Sequence, residues 1–226
     1  MGEIETFDLE KEEKVILNKN KIRSKFFYNF VKRLLDILGS FFGLILLAPL
    51  FLVVAYKIKK EDPRGPVFFS QYRVGKDEKI FKMYKFRSMC TDAEEKLKDL
   101  LEHNEVDGPM FKIKEDPRVT KIGKFIRKTS IDELPQLWNV LKGEMTLVGP
   151  RPPLIREVYM YTEYDKQRLM VKPGCTGVWQ VSGRNDLHFD EMVELDLKYI
   201  EFMSLKNDLK IILKTICIII NPNSAY

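Results

Sequence analysis

An uncharged run of twenty residues at 37–56, ILGSFFGLILLAPLFLVVAY, constrains the fold more than any other part of the sequence. A helix of this length is long enough to cross a bilayer. Pro49 lies inside the run, where it removes a helical hydrogen bond and favours a kink. Basic residues flank both ends, which places both ends on the cytoplasmic side. We therefore expect a helix that enters the membrane, bends near Ala48 and Pro49 and returns; a straight span and a buried core helix are the alternatives.

The segments on either side of this run differ in composition. Residues 1–24 mix glutamate with lysine and are typical of a charged tail that is mobile or loosely helical. From Lys25 onward, apolar residues recur at helical spacing with basic residues beside them, which indicates an amphipathic helix at a membrane surface. We therefore expect a tail at 1–24, an interfacial and membrane helix at 25–60, and a cytosol-facing domain at 61–226 that ends in interfacial helices.

Charge and cysteine content exclude some classes of protein. The net charge of +5 favours anionic partners such as phosphates, nucleotides or acidic lipid headgroups without choosing among them. The three cysteines are odd in number, far apart and without a CxxC motif, and there are only two histidines. This pattern argues against a disulfide framework or a zinc site and favours a reducing compartment.

The stretch at 127–152, RKTSIDELPQLWNVLKGEMTLVGPRP, holds the densest group of chemically useful side chains. Asp132 and Glu133 lie next to each other at a helix start. They also fit a capping box with Ser130, in which case they only begin the helix. Pro135 fits better if Asp132 is the cap. Adjacent residues on a helix point about 100° apart, so the two acids would need different functions.

Two glycine-rich corners carry arginines suited to phosphate. Arg151 lies between prolines at 148–153, so its forked guanidinium is held in a stiff loop. Arg184 lies in a Gly-Arg-Asn corner and is a candidate for a second anion site. Both segments follow short apolar stretches that we expect to be strands, at 145–148 and around 178–181.

Residues 68–89 interleave aromatic residues with arginine and lysine, including Lys85 and Arg87. Such a mixture binds nucleic acid in some proteins. No nucleic-acid motif accompanies it, so we favour an amphipathic hairpin at an anionic membrane surface, with one or two cations turned toward a substrate phosphate.

Several of these motifs occur together in one known family. The segment SIDELPQLWNVLKGEMTLVGPRP, preceded by KFRSM and followed by PGCTGVWQVSGRN and ELDLKYI, resembles the bacterial sugar transferases. These are monotopic polyprenyl-phosphate phosphoglycosyl transferases of the small catalytic-domain type. The resemblance implies a mostly helical α/β fold: a re-entrant helix-break-helix, amphipathic interfacial helices and a small cytosolic catalytic domain with a few short strands.

The resemblance also implies a role for each candidate residue. Asp132 is expected to be the nucleophile that forms a phosphosugar-aspartyl intermediate, and Glu133 is expected to bind Mg²⁺. Asp208 falls where the family has another functional carboxylate, near the metal, although capping the last helix is an alternative role. The expected phosphate ligands are Arg127, Arg151 and Arg184, with Lys85 and Arg87 as further candidates.

The expected reaction transfers a sugar-1-phosphate from a UDP-sugar to undecaprenyl phosphate at the cytoplasmic face of the bacterial inner membrane, and it releases UMP. Such a reaction is a first membrane step of exopolysaccharide, capsule or O-antigen assembly. The segment GVWQVSGRN at 177–185 and the insertion GPMFKIKEDPRVT at 108–120 resemble hexose-1-phosphate transferases, which favours UDP-galactose or UDP-glucose over an N-acetylated UDP-sugar. The expected partners are therefore the donor, the lipid phosphate and membrane lipid, with no nucleic acid, and a homo-oligomer is compatible with the family. Direct sugar transfer with release of UDP, or a non-enzymatic membrane scaffold, are the alternatives.

Overall fold

The computed structural model describes residues 14–100, 113, 116–182 and 187–220 of the chain. The α-helices are α1 (Lys19–Ser24), α2 (Phe26–Glu61), α3 (Ala93–Leu100), α4 (Lys121–Lys128), α5 (Gln136–Lys142), α6 (Ile155–Val158), α7 (Glu163–Lys166), α8 (Val178–Val181), α9 (Phe189–Glu201) and α10 (Leu205–Ile220). The strands are β1 (Phe68–Val74), β2 (Ile80–Phe86), β3 (Thr146–Val148) and β4 (Gly174–Thr176). The expectation of a mostly helical fold with a few short strands is confirmed.

The long helix α2 contains the uncharged run. It is one continuous element of 36 residues with Pro49 inside, rather than two helices separated by a break. Proline lacks the N–H that would donate one helical hydrogen bond, and it favours a bend in a helix without necessarily ending it. The helix has a mean hydropathy of 2.6 over its most apolar window, of which 11% is buried, and by length and composition it is able to cross a membrane.

The N-terminal half of α2 is attached to the domain through polar side chains. Arg33 donates from Nη1 to the carbonyl of Val140 at 2.7 Å and from Nη2 to the carbonyl of Leu141 at 2.9 Å, at the end of α5. The buried Asp36 carboxylate accepts hydrogen bonds from Thr146 Oγ1 at 3.0 Å and from the backbone N–H of Leu147 at 2.9 Å. These contacts fix α2 against α5 and β3.

The C-terminal half of α2 is attached to the same domain. Val54 and Ile58 are buried against Phe86 of β2 and Ile126 of α4. At the end of the helix, Glu61 accepts hydrogen bonds from two backbone N–H groups at the start of α4, at 2.7 and 2.9 Å. Contacts of the one domain therefore extend along α2 from its second turn to its last residue.

Part of the segment expected to be a mobile tail packs against the domain. Within the described residues 14–24, Leu17 and Ile22 are buried in the main hydrophobic cluster with side chains of α9 and α10. The backbone N–H of Leu17 also donates to Gln167 Oε1 at 2.6 Å. Residues 1–13 of that expected tail lie outside the described part of the chain.

Two small sheets position the loops that follow them. β1 and β2 form an antiparallel hairpin in which Phe68 pairs with Phe86 and Val74 with Ile80. The hairpin expected within 68–89 is present, and Arg73 lies in β1. β3 and β4 pair in parallel. The prediction of a strand near 178–181 is wrong. Gly177 is extended, and the chain then forms the helical turn α8.

Candidate active site

The turn that carries Asp132 and Glu133 is not a capping box. Ser130 adopts a left-handed conformation with φ of 54° and makes no side-chain cap hydrogen bond. Residues Ile131–Glu133 form a single 3₁₀ turn, and α5 begins three residues later, after Pro135. A positive φ at a residue other than glycine is uncommon and costs energy, and such positions often occur at functional sites.

This turn puts the two acids in different surroundings. Asp132 is 8% exposed, whereas the side chain of Glu133 is 44% exposed. Lys85 Nζ on β2 lies 2.6 Å from Glu133 Oε1. Burial raises the pKa of Asp132 from 3.8 to about 6, and the charge of Glu133 acts in the same direction against the opposing effect of Lys85. The two adjacent carboxylates are therefore chemically distinct, as their expected division of functions requires.

The fully buried Asn139 of α5 fixes the hairpin beside this turn. Its Oδ1 accepts from the backbone N–H of Tyr84 at 3.0 Å, and its Nδ2 donates to the carbonyl of Lys82 at 2.7 Å. Both contacts are to β2, the strand that carries Lys85. The amide therefore holds the strand that presents Lys85 to Glu133.

The loop that carries Arg151 is held by close backbone contacts. Gly149 donates to the carbonyl of Thr176 at 2.8 Å, and Gly174 donates to the carbonyl of Pro150 at 2.8 Å. A Cβ atom on Gly174 would lie 2.1 Å from the nitrogen of Gly149, so this approach requires glycine. Arg151 itself lies 3.4 Å, Nη1 to Oε2, from the buried carboxylate of Glu157.

These elements surround one cavity of about 1040 Å³. The structure brings together most of the predicted site residues on its wall, namely Lys85, Arg87, Arg127, Asp132, Glu133 and Arg151. The wall also includes apolar side chains, among them Trp179, Met192, Ile212 and Ile216. A volume of this order suits a nucleotide or a similar small molecule.

Arg87 and Arg127, which both line the cavity, also act on other parts of the structure. Arg87 is buried and binds the end of α2, with Nη1 2.8 Å from Asp62 Oδ2 and Nη2 3.0 Å from the Asp62 carbonyl. Arg127 is exposed in the last turn of α4, and its charge lowers the pKa of Asp132. Arg127 therefore favours the ionised form of Asp132, and Arg87 joins the hairpin to the long helix.

Two predicted site residues do not join this group. Arg184 lies outside the described residues. Asp208 is buried and is not among the residues that line the cavity. Its carboxylate lies 2.8 Å from Lys32 Nζ and accepts hydrogen bonds from Tyr28 at 2.9 Å and Tyr199 at 2.7 Å. These contacts favour a structural role that attaches α2 to α10; a metal-binding role of Asp208 stays a prediction.

The donor set at the cavity fits a hard cation held partly by substrate. Among the described residues no group of three or more acidic, histidine or cysteine side chains is placed to hold a metal. Mg²⁺ commonly binds one or two carboxylates and completes its shell with water and substrate phosphates. Glu133, half-exposed at the cavity, and Asp132 beside it supply hard oxygen atoms of that kind.

Arg73 is a further residue of the site that was not among those predicted from the sequence. Arg73 is 7% exposed, lines the cavity on β1 and donates from Nη1 to the carbonyl of Pro152 at 3.0 Å. The available signal was strand alternation, which places Arg73 and Gln71 on one face of the hairpin.

The chain matches the family model of the bacterial sugar transferases over residues 27–222. It is 52% identical over 202 residues to the galactosyl transferase CpsE of Streptococcus agalactiae, with 89% of this chain and 44% of that protein covered. It is 45% identical over 201 residues to the undecaprenyl-phosphate galactose phosphotransferase of Salmonella typhimurium, with 87% and 42% covered. It is 39% identical over 199 residues to the exopolysaccharide production protein ExoY of Rhizobium meliloti, with 86% and 88% covered. The chain thus spans less than half the length of the first two relatives and most of the third.

Proposed function

Because the chain belongs to the bacterial sugar transferase family, we propose that it transfers a sugar-1-phosphate from a UDP-sugar to undecaprenyl phosphate. One relative is named as an undecaprenyl-phosphate galactose phosphotransferase and another as an exopolysaccharide production protein. UDP-galactose is therefore the first donor to test, followed by UDP-glucose. The observation that carries the proposal is the burial of one carboxylate, Asp132, on the wall of a cavity rich in arginine and lysine.

Asp132 is the proposed nucleophile. With a pKa of about 6 it is mostly ionised at neutral pH, and it is more basic than an ordinary aspartate. Its carboxylate oxygen attacks the phosphorus that is bonded to the sugar. The bond from this phosphorus to the bridging oxygen breaks, and UMP leaves with the electron pair. The sugar-1-phosphate is then attached to Asp132 as an acyl phosphate.

The second half of the reaction regenerates the carboxylate. An oxygen of undecaprenyl phosphate attacks the same phosphorus, and Asp132 leaves. Both halves build negative charge at phosphorus, which the cavity cations Lys85, Arg127 and Arg151 stabilise. Glu133 would hold Mg²⁺, which when bound supplies further neutralisation of the diphosphate.

We propose that α2 is re-entrant in the cytoplasmic leaflet of the bacterial inner membrane. A straight helix of 36 residues is about 54 Å long, enough to cross a bilayer completely. A crossing helix would carry one of its ends away from the domain, whereas α2 contacts the same domain at Arg33 and at Glu61. Its exposed face is rich in phenylalanine and leucine, which suits contact with lipid.

This arrangement is tested by labelling from one side of the membrane. In a background without native cysteines, Lys19→Cys and Lys60→Cys are introduced singly, and intact spheroplasts are treated with a membrane-impermeant maleimide. A re-entrant helix leaves both positions unlabelled until the inner membrane is opened. Labelling of one position in intact spheroplasts would support a straight span instead.

The reaction is tested with membrane fractions that contain the full chain, undecaprenyl phosphate, Mg²⁺ and one UDP-sugar at a time. We expect release of UMP, which is lost in Asp132→Asn. Glu163→Gln is the matched control, because it also neutralises one acid but at a side chain that is 90% exposed and outside the cavity. Trapping the reaction before the lipid phosphate is added is expected to leave radiolabelled sugar phosphate on the wild-type protein and on Glu163→Gln, but not on Asp132→Asn.

The nucleotide that is released separates the alternatives. UDP in place of UMP would indicate direct sugar transfer and remove the need for an acyl phosphate. Full activity of Asp132→Asn would refute the assignment of the nucleophile. A non-enzymatic scaffold predicts that no donor releases a nucleotide and that Asp132→Asn leaves polymer assembly in cells unchanged.

A further inference from the structure

Arg73 is a buried cation without a charged partner among the described residues. Its Nη1 donates to the Pro152 carbonyl at 3.0 Å and its Nη2 to Gln71 Oε1 at 2.9 Å, and both acceptors are neutral. Its Nε is buried and has no hydrogen-bond partner. A guanidinium has five N–H donors, so most of its capacity is unused here. Burial of a charge without a counter-ion is costly, so its retention on a cavity wall calls for an explanation.

The two acids whose charges act on Arg73 do not supply the missing counter-ion. Glu157 accepts from Arg151 Nη1 at 3.4 Å and from the backbone N–H of Leu154 at 2.8 Å. Glu133 binds Lys85. Both acids act on Arg73 only through space, where they raise its pKa, while burial and the charge of Arg151 lower it to about 10. Arg73 is therefore still a cation at neutral pH, and it repels the second arginine of the same wall.

Both arginines are connected to the stiff loop. Arg151 belongs to the loop, and Arg73 donates to the carbonyl of the next residue, Pro152. Val74, next to Arg73, also donates from its backbone N–H to the Pro153 carbonyl at 3.0 Å. In the absence of a bound anion, the two positive charges repel each other. An anion bound between them would offset this repulsion and be attracted by both.

We propose that Arg73 and Arg151 together form a two-arginine site for a phosphate ester, in which the bound phosphate is the counter-ion that Arg73 otherwise lacks. This inference rests on the proposed function for the identity of the ester. Both the UDP-sugar and undecaprenyl phosphate carry such a group. Arg73 therefore binds substrate together with Lys85, Arg127 and Arg151, in addition to supporting the loop.

The test measures binding without turnover. The full chain is purified in nanodiscs, and isothermal titration follows UDP in one arm and farnesyl phosphate in the other, in EDTA and at fixed ionic strength. We expect Arg73→Gln to weaken UDP binding about tenfold or more, whereas Arg73→Lys retains most of it. Lys82→Gln is the matched control, because it removes the same charge from an exposed position of the same hairpin.

A second readout separates a binding residue from a loop support. Because Arg73 lacks a counter-ion, Arg73→Gln is expected to leave the melting temperature of the free protein unchanged or to raise it. The proposal is overturned if Arg73→Gln binds both ligands like wild type. It is also overturned if Arg73→Gln fails to fold, or if Arg73→Lys loses as much affinity and melting temperature as Arg73→Gln.

The two arms distinguish the source of the phosphate. Weakening confined to UDP assigns the site to the donor, and weakening confined to farnesyl phosphate assigns it to the acceptor; either supports the site. The proposed reaction is judged separately, by UMP release. A chain that binds UDP through Arg73 but transfers no sugar phosphate would retract the reaction and keep the site.

Discussion

Replacement of Asp132 by asparagine is expected to abolish transfer and to stabilise the metal-free protein at neutral pH. The pKa of the buried Asp132 is raised from 3.8 to about 6. Because the pKa in the folded protein lies above that in the unfolded chain, the wild-type side chain favours folding most below pH 3.8. This contribution is lost as the pH rises through about 6. Asparagine does not ionise and therefore avoids the loss.

The size of the effect follows from the shift. A difference of about 2.2 pH units at 1.36 kcal/mol each corresponds to about 3 kcal/mol at pH 8. At pH 4.5, where the folded protein keeps Asp132 protonated, the same relation gives about 1 kcal/mol. In a chain of this length each kcal/mol moves the melting temperature by about 2–4 °C, so the variant should melt about 6–12 °C above wild type at pH 8.

The assay is thermal unfolding of the detergent-solubilised protein in EDTA, followed by intrinsic tryptophan fluorescence at pH 4.5 and pH 8. Glu163→Gln is the control, because its exposed carboxylate is expected to change the melting temperature little at either pH. The reasoning is refuted if Asp132→Asn gains as much at pH 4.5 as at pH 8, or if it is less stable than wild type at both.

Three further predictions concern other parts of the structure. Asp36→Ala removes the acceptor of a hydroxyl and a backbone N–H, and by urea unfolding it should cost about 1–3 kcal/mol; an unchanged midpoint would contradict the observed contacts. Arg168→Met leaves the fully buried Asp196 without its ion partner and should lower the free energy of unfolding by about 3–5 kcal/mol. Adding Asp196→Leu should recover most of this loss, and a double variant as unstable as Arg168→Met would argue against the pairing. Lys85→Met removes a charge that lowers the pKa of Asp132, so the acidic limb of the pH–rate profile should move to higher pH. An unchanged acidic limb would show that ionisation of Asp132 does not determine it.

Local sequence patterns were enough to predict several elements. The hairpin within 68–89 and the strand at 145–148 occur as β1 with β2 and as β3. Their patterns are strong because each element presents one face to a core or to a membrane interface. The short segment at 178–181 was predicted incorrectly. There the extended Gly177 lies against Gly149, and this tertiary contact sets the direction of the chain.

The candidate site was predicted in its residue types but not in its environments. The adjacent acids Asp132 and Glu133 differ because Ser130 turns the backbone into a left-handed conformation, which no periodicity reveals. Arg73 and Lys82 lie on paired strands, and only the packing of the strands buries one and exposes the other. Burial changes the pKa of a charged side chain and the strength of its interactions, and it depends on the tertiary packing rather than on the local sequence.

The contacts of α2 bear on how a water-soluble version of this protein is to be engineered. A helix that served only as an anchor could be deleted without harm to its domain. Deletion of α2 would remove the hydrogen bonds that Arg33, Asp36 and Glu61 make to backbone groups of α5, β3 and α4, and it would expose Phe86 and Ile126, which are buried against α2. Redesign should therefore keep these side chains and replace the exposed phenylalanines and leucines of the opposite face with polar residues.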